Sequence, residues 1–164
     1  MEHKVSIAGM AMDPASNTPI VLLKTDLGEQ VIPIWIGLME ATAIASVLRN
    51  VNFDRPMTHD LFKNFAVQMK MAIVKVEVCD IRENTYYALI TFSSGSESFT
   101  MDARPSDAIA MALRFGAPIF VNQLVLDKSK SGQGVPAEAA DQSEEGKKWA
   151  EYLENLDPDD FGKV

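Results

Sequence analysis

One cysteine, two histidines, no excess of basic residues and no long apolar run leave this 164-residue chain short of many of the features that usually announce a function. A single thiol, Cys79, excludes an intrachain disulfide and suits a reducing compartment. It falls in the alternating run Val74-Lys75-Val76-Glu77-Val78-Cys79, which reads as a packed strand thiol rather than a reactive one. No apolar stretch approaches the roughly 20 residues of a membrane span. The start has no basic segment leading into a long apolar one, so the expectation is a soluble, cytoplasmic protein with no membrane association. Zinc-type Cys and His spacing, a Walker A loop, a G-x-G-x-x-G turn and a nucleophile elbow are all missing, which excludes several enzyme classes.

Positive charge is scarce as well. The net charge is −8, and residues 127–164 hold ten acidic and five basic side chains, against thirteen and ten before them. A basic stripe is the electrostatic footprint of tight, sequence-independent grip on a polyanion, and none is visible.

What the chain does have is a repeat. Ala43 to Arg49 reads AIASVLR and Ala108 to Arg114 reads AIAMALR, identical at five of seven positions and offset by 65 residues. A period that long is a duplicated supersecondary unit. Around the first copy, strands are expected at Val5 to Met10, Ile20 to Lys24 and Gln30 to Ile36, then a helix from about Leu38 to Asn50. Around the second, strands at about Ala72 to Ile81, Tyr86 to Phe92 and Ser98 to Ala103 precede a helix from Ser106 to Phe115. Each copy reads βββα. Between them, Met57 to Met69 carries Leu61, Phe62, Phe65 and Met69 on one apolar face of an inserted helix, and Pro118 to Val121 adds a short strand. With 47% apolar content, these residues suffice for one core, so an α+β, two-layer domain over residues 1–126 is predicted. A Ser, Gly and Ala-rich linker follows at 127–143, and an acidic helical tail at 144–164, with Trp149, Tyr152, Leu153 and Leu156 on one stripe.

The copies differ where each helix begins. The first starts at Gly37-Leu38-Met39-Glu40, whereas the second starts at Asp102-Ala103-Arg104-Pro105-Ser106-Asp107, with two carboxylates, a guanidinium and a hydroxyl in six residues. Strand alternation predicts that Asp102 and Arg104 share the face opposite the apolar Phe99, Met101 and Ala103, and Asp107 and Arg114 lie along the next helix at i and i+7. A second polar cluster, Arg55-Pro56-Met57-Thr58-His59-Asp60, opens the inserted helix. His59 is the side chain outside the tails best suited to proton transfer near neutrality, and Asp60 is placed to orient it or bind a cation. The plain structural reading makes Ser106 and Thr58 N-caps, Asp107 and Glu40 helix-start acids, His59 an exposed side chain, and Asp102 with Arg104 an ion pair. Glu40, Asp102 and Asp107 are also the oxygen ligands that Mg²⁺ or Mn²⁺ prefers.

Pro33-Ile34-Trp35-Ile36-Gly37 with Glu40-Ala41, then Arg55-Pro56 with Thr58-His59-Asp60, then Asp102 through Arg114 and Pro118 to Val121, together resemble the bifunctional nuclease domain family of bacteria and plants. The resemblance covers Val5 to about Leu126, and the ending Leu153 to Phe161 resembles the tail of bacterial members. It implies an internally duplicated α+β domain and degradation of RNA and DNA. Carried over residue by residue, the family's characteristic polar positions are Glu40, Arg55, Thr58, His59, Asp60, Asp102, Arg104, Ser106, Asp107 and Arg114. The mechanism expected from them has Asp102 and Asp107, with Glu40, holding a divalent cation that activates water. His59 is then the general base, Arg104 and Arg114 neutralise the phosphorane, and Arg55, Thr58 and Ser106 bind substrate. Nucleic-acid affinity is expected to be weak and salt-sensitive, and a homodimer is the expected assembly. The competing expectation is a non-catalytic module that uses the same cluster to bind an anion or regulate a partner.

Overall fold

The computed structural model describes residues 1–14, 16–26, 28 and 30–130. Seven strands and four helices follow in the order β1 (Glu2–Asp13), β2 (Thr18–Thr25), β3 (Val31–Trp35), α1 (Leu38–Leu48), α2 (Thr58–Gln68), β4 (Met71–Arg82), β5 (Thr85–Ser94), β6 (Glu97–Ala103), α3 (Pro105–Phe115), β7 (Ile119–Asn122) and α4 (Gln123–Lys130). Every predicted strand and helix up to Val121 is present, although β1 and β2 run longer than their apolar alternation indicates. The fold is α+β. Residues 127–130, read as the start of a linker, instead complete α4, whose Val125 and Leu126 are buried in the core. The remaining linker and the tail helix lie outside the described residues. No helix among the described residues is long and apolar enough to cross a membrane.

All seven strands form one sheet in the order β3-β2-β1-β7-β4-β5-β6. Two antiparallel meanders, β1 to β3 and β4 to β6, run outward from the central β7, which is antiparallel to β1 and parallel to β4. Tight turns make the meanders. Glu83 and Asn84 have φ of 48° and 62° between the paired Arg82 and Thr85, and two consecutive left-handed residues are what a two-residue hairpin requires.

The repeated sequence supplies the helix contact at the centre of the domain. Ala41, Ile44 and Ala45 of α1 and Ala108, Ile109 and Ala112 of α3 are all at most 3% exposed. Small side chains let the two helix backbones approach, while Ile44 and Ile109 fill the core over Val21, Ile34, Val76 and Phe92. Each fully buried Ile contributes roughly 2 to 3 kcal/mol. Pro105 at the first position of α3 and left-handed Gly116 (φ 65°) just past its end bracket that helix.

Helix α2 departs from its sequence reading. Its apolar stripe does not turn inward: Leu61, Phe65 and Met69 are 56 to 62% exposed, Phe62 is 37% exposed, and Ala66 is the residue of α2 that is buried. Phe62 meets the core through an edge-on contact with Phe92, ring centres 6.3 Å apart. Polar bonds at its N-terminus do much of the remaining anchoring.

Candidate active site

The site forms where the starts of α1, α2 and α3 meet. Arg104 is the residue at which the chain leaves β6 for α3, in extended conformation (φ −67°, ψ 145°). Its guanidinium donates from Nε to Asp107 Oδ2 at 2.7 Å, from Nη2 to Asp107 Oδ1 at 3.2 Å, and from Nη1 to Glu40 Oε1 on α1 at 2.8 Å. Asp107 comes first and Glu40 second in raising the Arg104 pKa further above the usual arginine range. Glu40 can lie there because residue 37 is glycine: a Cβ at Gly37 would collide with the Glu40 carboxylate. Gly37 has φ −74°, so the need for glycine is steric rather than conformational.

Asp107 Oδ1 also meets His59 Nε2 at 3.0 Å, joining α3 to α2. Burial pushes the Asp107 carboxyl up, but the bonds from Arg104 and His59 together outweigh it and hold the pKa below the usual aspartate value. The result is one chain of contacts, Glu40–Arg104–Asp107–His59, in which the side chain of His59 is 19% exposed. These groups line a cleft of about 270 Å³, together with Met39, Thr42, Phe53, Met57 and Thr58. Of these, Met39, Thr42, Phe53 and Met57 were not legible as site residues, because apolar and small side chains in a helix or in the connection between two helices read as packing.

The other predicted residues fall elsewhere or do different work. Asp60 does not orient His59: Oδ2 accepts from the Met57 backbone N–H at 3.1 Å and Oδ1 from Arg114 Nε at 2.7 Å. Arg114 lines the same cleft, but as a paired cation rather than a free one. Its side chain is 4% exposed, and Nη1 donates to the carbonyls of Ala43 at 2.9 Å and Ala110 at 3.1 Å, so it braces α2 and α1 against α3. Thr58 is not the N-cap of α2, a position held by Met57; it is the first helical residue and lies exposed at the cleft. Ser106 is likewise inside α3 rather than capping it, since Arg104 is the N-cap and Pro105 intervenes. Ser106 is 6% exposed and lines a neighbouring cleft with Trp35, Tyr86 and Arg104. Arg55 is exposed and makes no ion pair among the described residues.

Asp102 keeps the face that alternation predicts, and that face is not the one on which the cluster forms. It pairs with Leu89 of β5, which alternates with the buried Ala88 and Ile90, so both point to the face away from the core. Its charge is felt by Cys79 on that face, where burial, then Glu77, raise the thiol pKa. Arg104 escapes the alternation because the chain turns out of the sheet after Ala103. Glu40, Asp102 and Asp107 therefore do not assemble as a cation site, and among the described residues no group of three or more His, Cys, Asp or Glu side chains could hold a metal ion.

An α+β domain with an imidazole, a carboxylate and a guanidinium linked along one cleft is the frame of a hydrolytic or anion-binding site. A model described as the bifunctional nuclease domain matches residues 21–133, which contain this whole cluster, and the chain belongs to that family. It is 35% identical to the uncharacterized protein Rv1829 of Mycobacterium tuberculosis, over 96% of this chain and 97% of that one. It is 30% identical to bifunctional nuclease 1 of Arabidopsis thaliana over 74% of this chain, and 28% identical to bifunctional nuclease 1 of Oryza sativa subsp. indica over 69%. These matches span 38% and 35% of the two plant proteins.

Proposed function

We propose that this chain is a nuclease that hydrolyses phosphodiester bonds of RNA and DNA at the His59–Asp107–Arg104 cluster. The observation that carries this reading is the 3.0 Å contact between His59 Nε2 and Asp107 Oδ1 at the wall of a cleft, in a member of a family whose description is nucleolytic. With Nε2–H donated to Asp107, the lone pair of His59 sits on Nδ1, the arrangement a general base needs. His59 takes a proton from water, the water oxygen bonds to phosphorus, the bond to the sugar oxygen breaks, and that leaving oxygen is protonated from solvent. Arg104 stabilises the charge gathering on the phosphoryl oxygens, which compete with Glu40 for its Nη1. Arg114 acts by position, holding α2 and with it His59. The steps are written for this chain's own side chains: Glu40 and Asp107 meet at Arg104, while Asp102 lies on the other face of the sheet.

The scarcity of positive charge belongs to the same reading. Arg104 is already shared by two carboxylates and Arg114 is buried, so binding is weak and salt-sensitive, as in a distributive enzyme. We also read the two βββα halves as a two-layer internal duplication, supported by AIASVLR against AIAMALR and by the outward order of both meanders from β7. The test is cleavage of labelled single-stranded RNA and DNA by the wild type and by an identically prepared Asp107→Asn protein, with Mg²⁺, Mn²⁺ or EDTA. Cleavage that survives EDTA and is lost in the variant is the expected result. Equal cleavage by both proteins, or none by either, would leave the cluster as a non-catalytic anion-binding or regulatory module.

A further inference from the structure

The two edges of the sheet are unequal. β3, at one edge, is five residues long, carries Pro33 and is largely buried, and proline at an edge blocks strand addition. β6, at the other, is seven residues long with no proline or glycine. Among the described residues it pairs with β5 alone, and its residues Glu97 to Asp102 are all exposed. An unprotected edge of this kind is a template for another strand.

Apolar surface lies beside that edge. Phe99 and Met101 pair with the buried Phe92 and Ile90, so they point to the core side of the sheet, yet they are 42% and 47% exposed because no strand among the described residues lies beyond β6. Phe99 stacks on Phe92 with ring centres 5.4 Å apart, and Phe92 meets Phe62 of α2 edge-on. Phe62 thus ties α2 to the apolar side of β6, and Leu61 and Phe65 of the same helix are exposed as well. Burying these side chains against solvent-free protein is favourable at roughly 25 cal/mol per Å².

We propose that the occupant of this surface is a second copy of the same chain, added by antiparallel pairing of β6 with its twin about a two-fold axis at Thr100. Self-complementarity argues for a copy. Overlap of all seven residues places Thr100 opposite Thr100, Phe99 opposite Met101, Ser98 opposite Asp102 and Glu97 opposite Ala103. No like charges face each other, apolar meets apolar on the core side, and a Thr–Thr pair is a favourable cross-strand contact. A slip by one residue would set Glu97 against Asp102 and put the two helix layers on opposite faces. The full register keeps both helix layers on one side, where the two α2 stripes flank the joint. The sheet then runs continuously through both subunits. This assembly does not depend on the proposed chemistry.

Light scattering after size exclusion at micromolar concentration should give twice the chain's 18.0 kDa mass. Thr100→Asp, which sets two carboxylates against each other at the axis without touching a core contact, should give the single-chain mass with an unchanged circular-dichroism spectrum. In a Cys79→Ser background, Thr100→Cys should form an intermolecular disulfide on mild oxidation, because residues facing across an antiparallel pair have Cα atoms about 4.5 to 5.5 Å apart, within the range a disulfide bridges. Thr91→Cys, one strand inward, should not. A monomeric wild type, as expected if another segment of the chain or a different protein covers the surface, would overturn the proposal. So would a dimer in which the Thr100→Cys protein forms no cross-link, a readout that stands even if Thr100→Asp does not fold.

Discussion

His59 and Asp107, 48 residues apart on different helices, meet at 3.0 Å between Nε2 and Oδ1. Asp107 simultaneously accepts two bonds from Arg104, so one half-buried carboxylate links the imidazole to the guanidinium. If that link organises catalysis, breaking it at either end removes the same function. Asp107→Asn and His59→Ala should each lower kcat by roughly 10²- to 10⁴-fold, and the double variant should be little worse than the single ones. Nuclease assays on the three proteins, with thermal melts to show that each remains folded, decide the matter.

Acid should weaken the fold through the same group. The folded-state pKa of Asp107 is depressed, so its stabilisation is present above the unfolded value of about 3.9 and is lost as pH falls through the folded pKa. Asp80, drawn down to about 2 by Arg82 and then Lys128, adds a loss in the same direction. Melting temperature measured from neutral pH down should drop less steeply below about pH 4 in Asp107→Asn than in the wild type. Identical profiles would show that the Asp107 contacts contribute nothing to folding.

Arg114 is predicted to be a matter of stability. Arg114→Ala removes one donor from each of two helix carbonyls, of which Ala43 keeps the Ser46 hydroxyl, and leaves one side of Asp60 without its partner, a loss of about 2 to 3 kcal/mol after allowing for the partial exposure of Asp60. For a chain of this size that is a fall of roughly 5 to 10 °C in Tm. Cleavage measured well below the melting range should fall mainly through displacement of α2, and Arg114→Lys, which keeps the charge but not the fork, should lie between.

Glu40 competes with substrate in the proposed mechanism. Removing its charge 2.8 Å from Arg104 should therefore strengthen phosphate binding, and Glu40→Gln should lower KM by roughly 3- to 10-fold, equivalent to about 1 kcal/mol for an exposed pair. Gly37→Ala should act in the same direction, because the added methyl occupies the place of the Glu40 carboxylate. A rise in KM in both would mean instead that Glu40 positions Arg104 for its substrate.

The helices and strands were legible in advance because each is written locally. Alternation in Tyr86 to Phe92, the helical spacing of Ile44, Val47 and Leu48, and Pro105 before an alanine-rich run all specify a backbone conformation without a distant partner. α4 was missed since Gln123-Leu124-Val125-Leu126 is too short a run to show a period, and its helix is held by burial of Val125 and Leu126. In the cluster, Arg104, Asp107, His59 and Glu40 were legible by residue type and by their places at helix starts. Their pairing was not.

By itself, then, the amino-acid sequence determined the element order up to Val121, the repeated AIASVLR and AIAMALR segments, the family and the short set of polar residues from which a site could be built. Only the tertiary structure decided that His59 pairs with Asp107 and not with Asp60, that Arg114 is a buried brace, that Asp102 points to the other face from Arg104, and that the apolar stripe of α2 looks outward beside an open strand edge. The physical reason is common to all four. A side chain's partner depends on how separate elements dock and on where the chain leaves its strand, and neither is encoded in the spacing of neighbours along the chain.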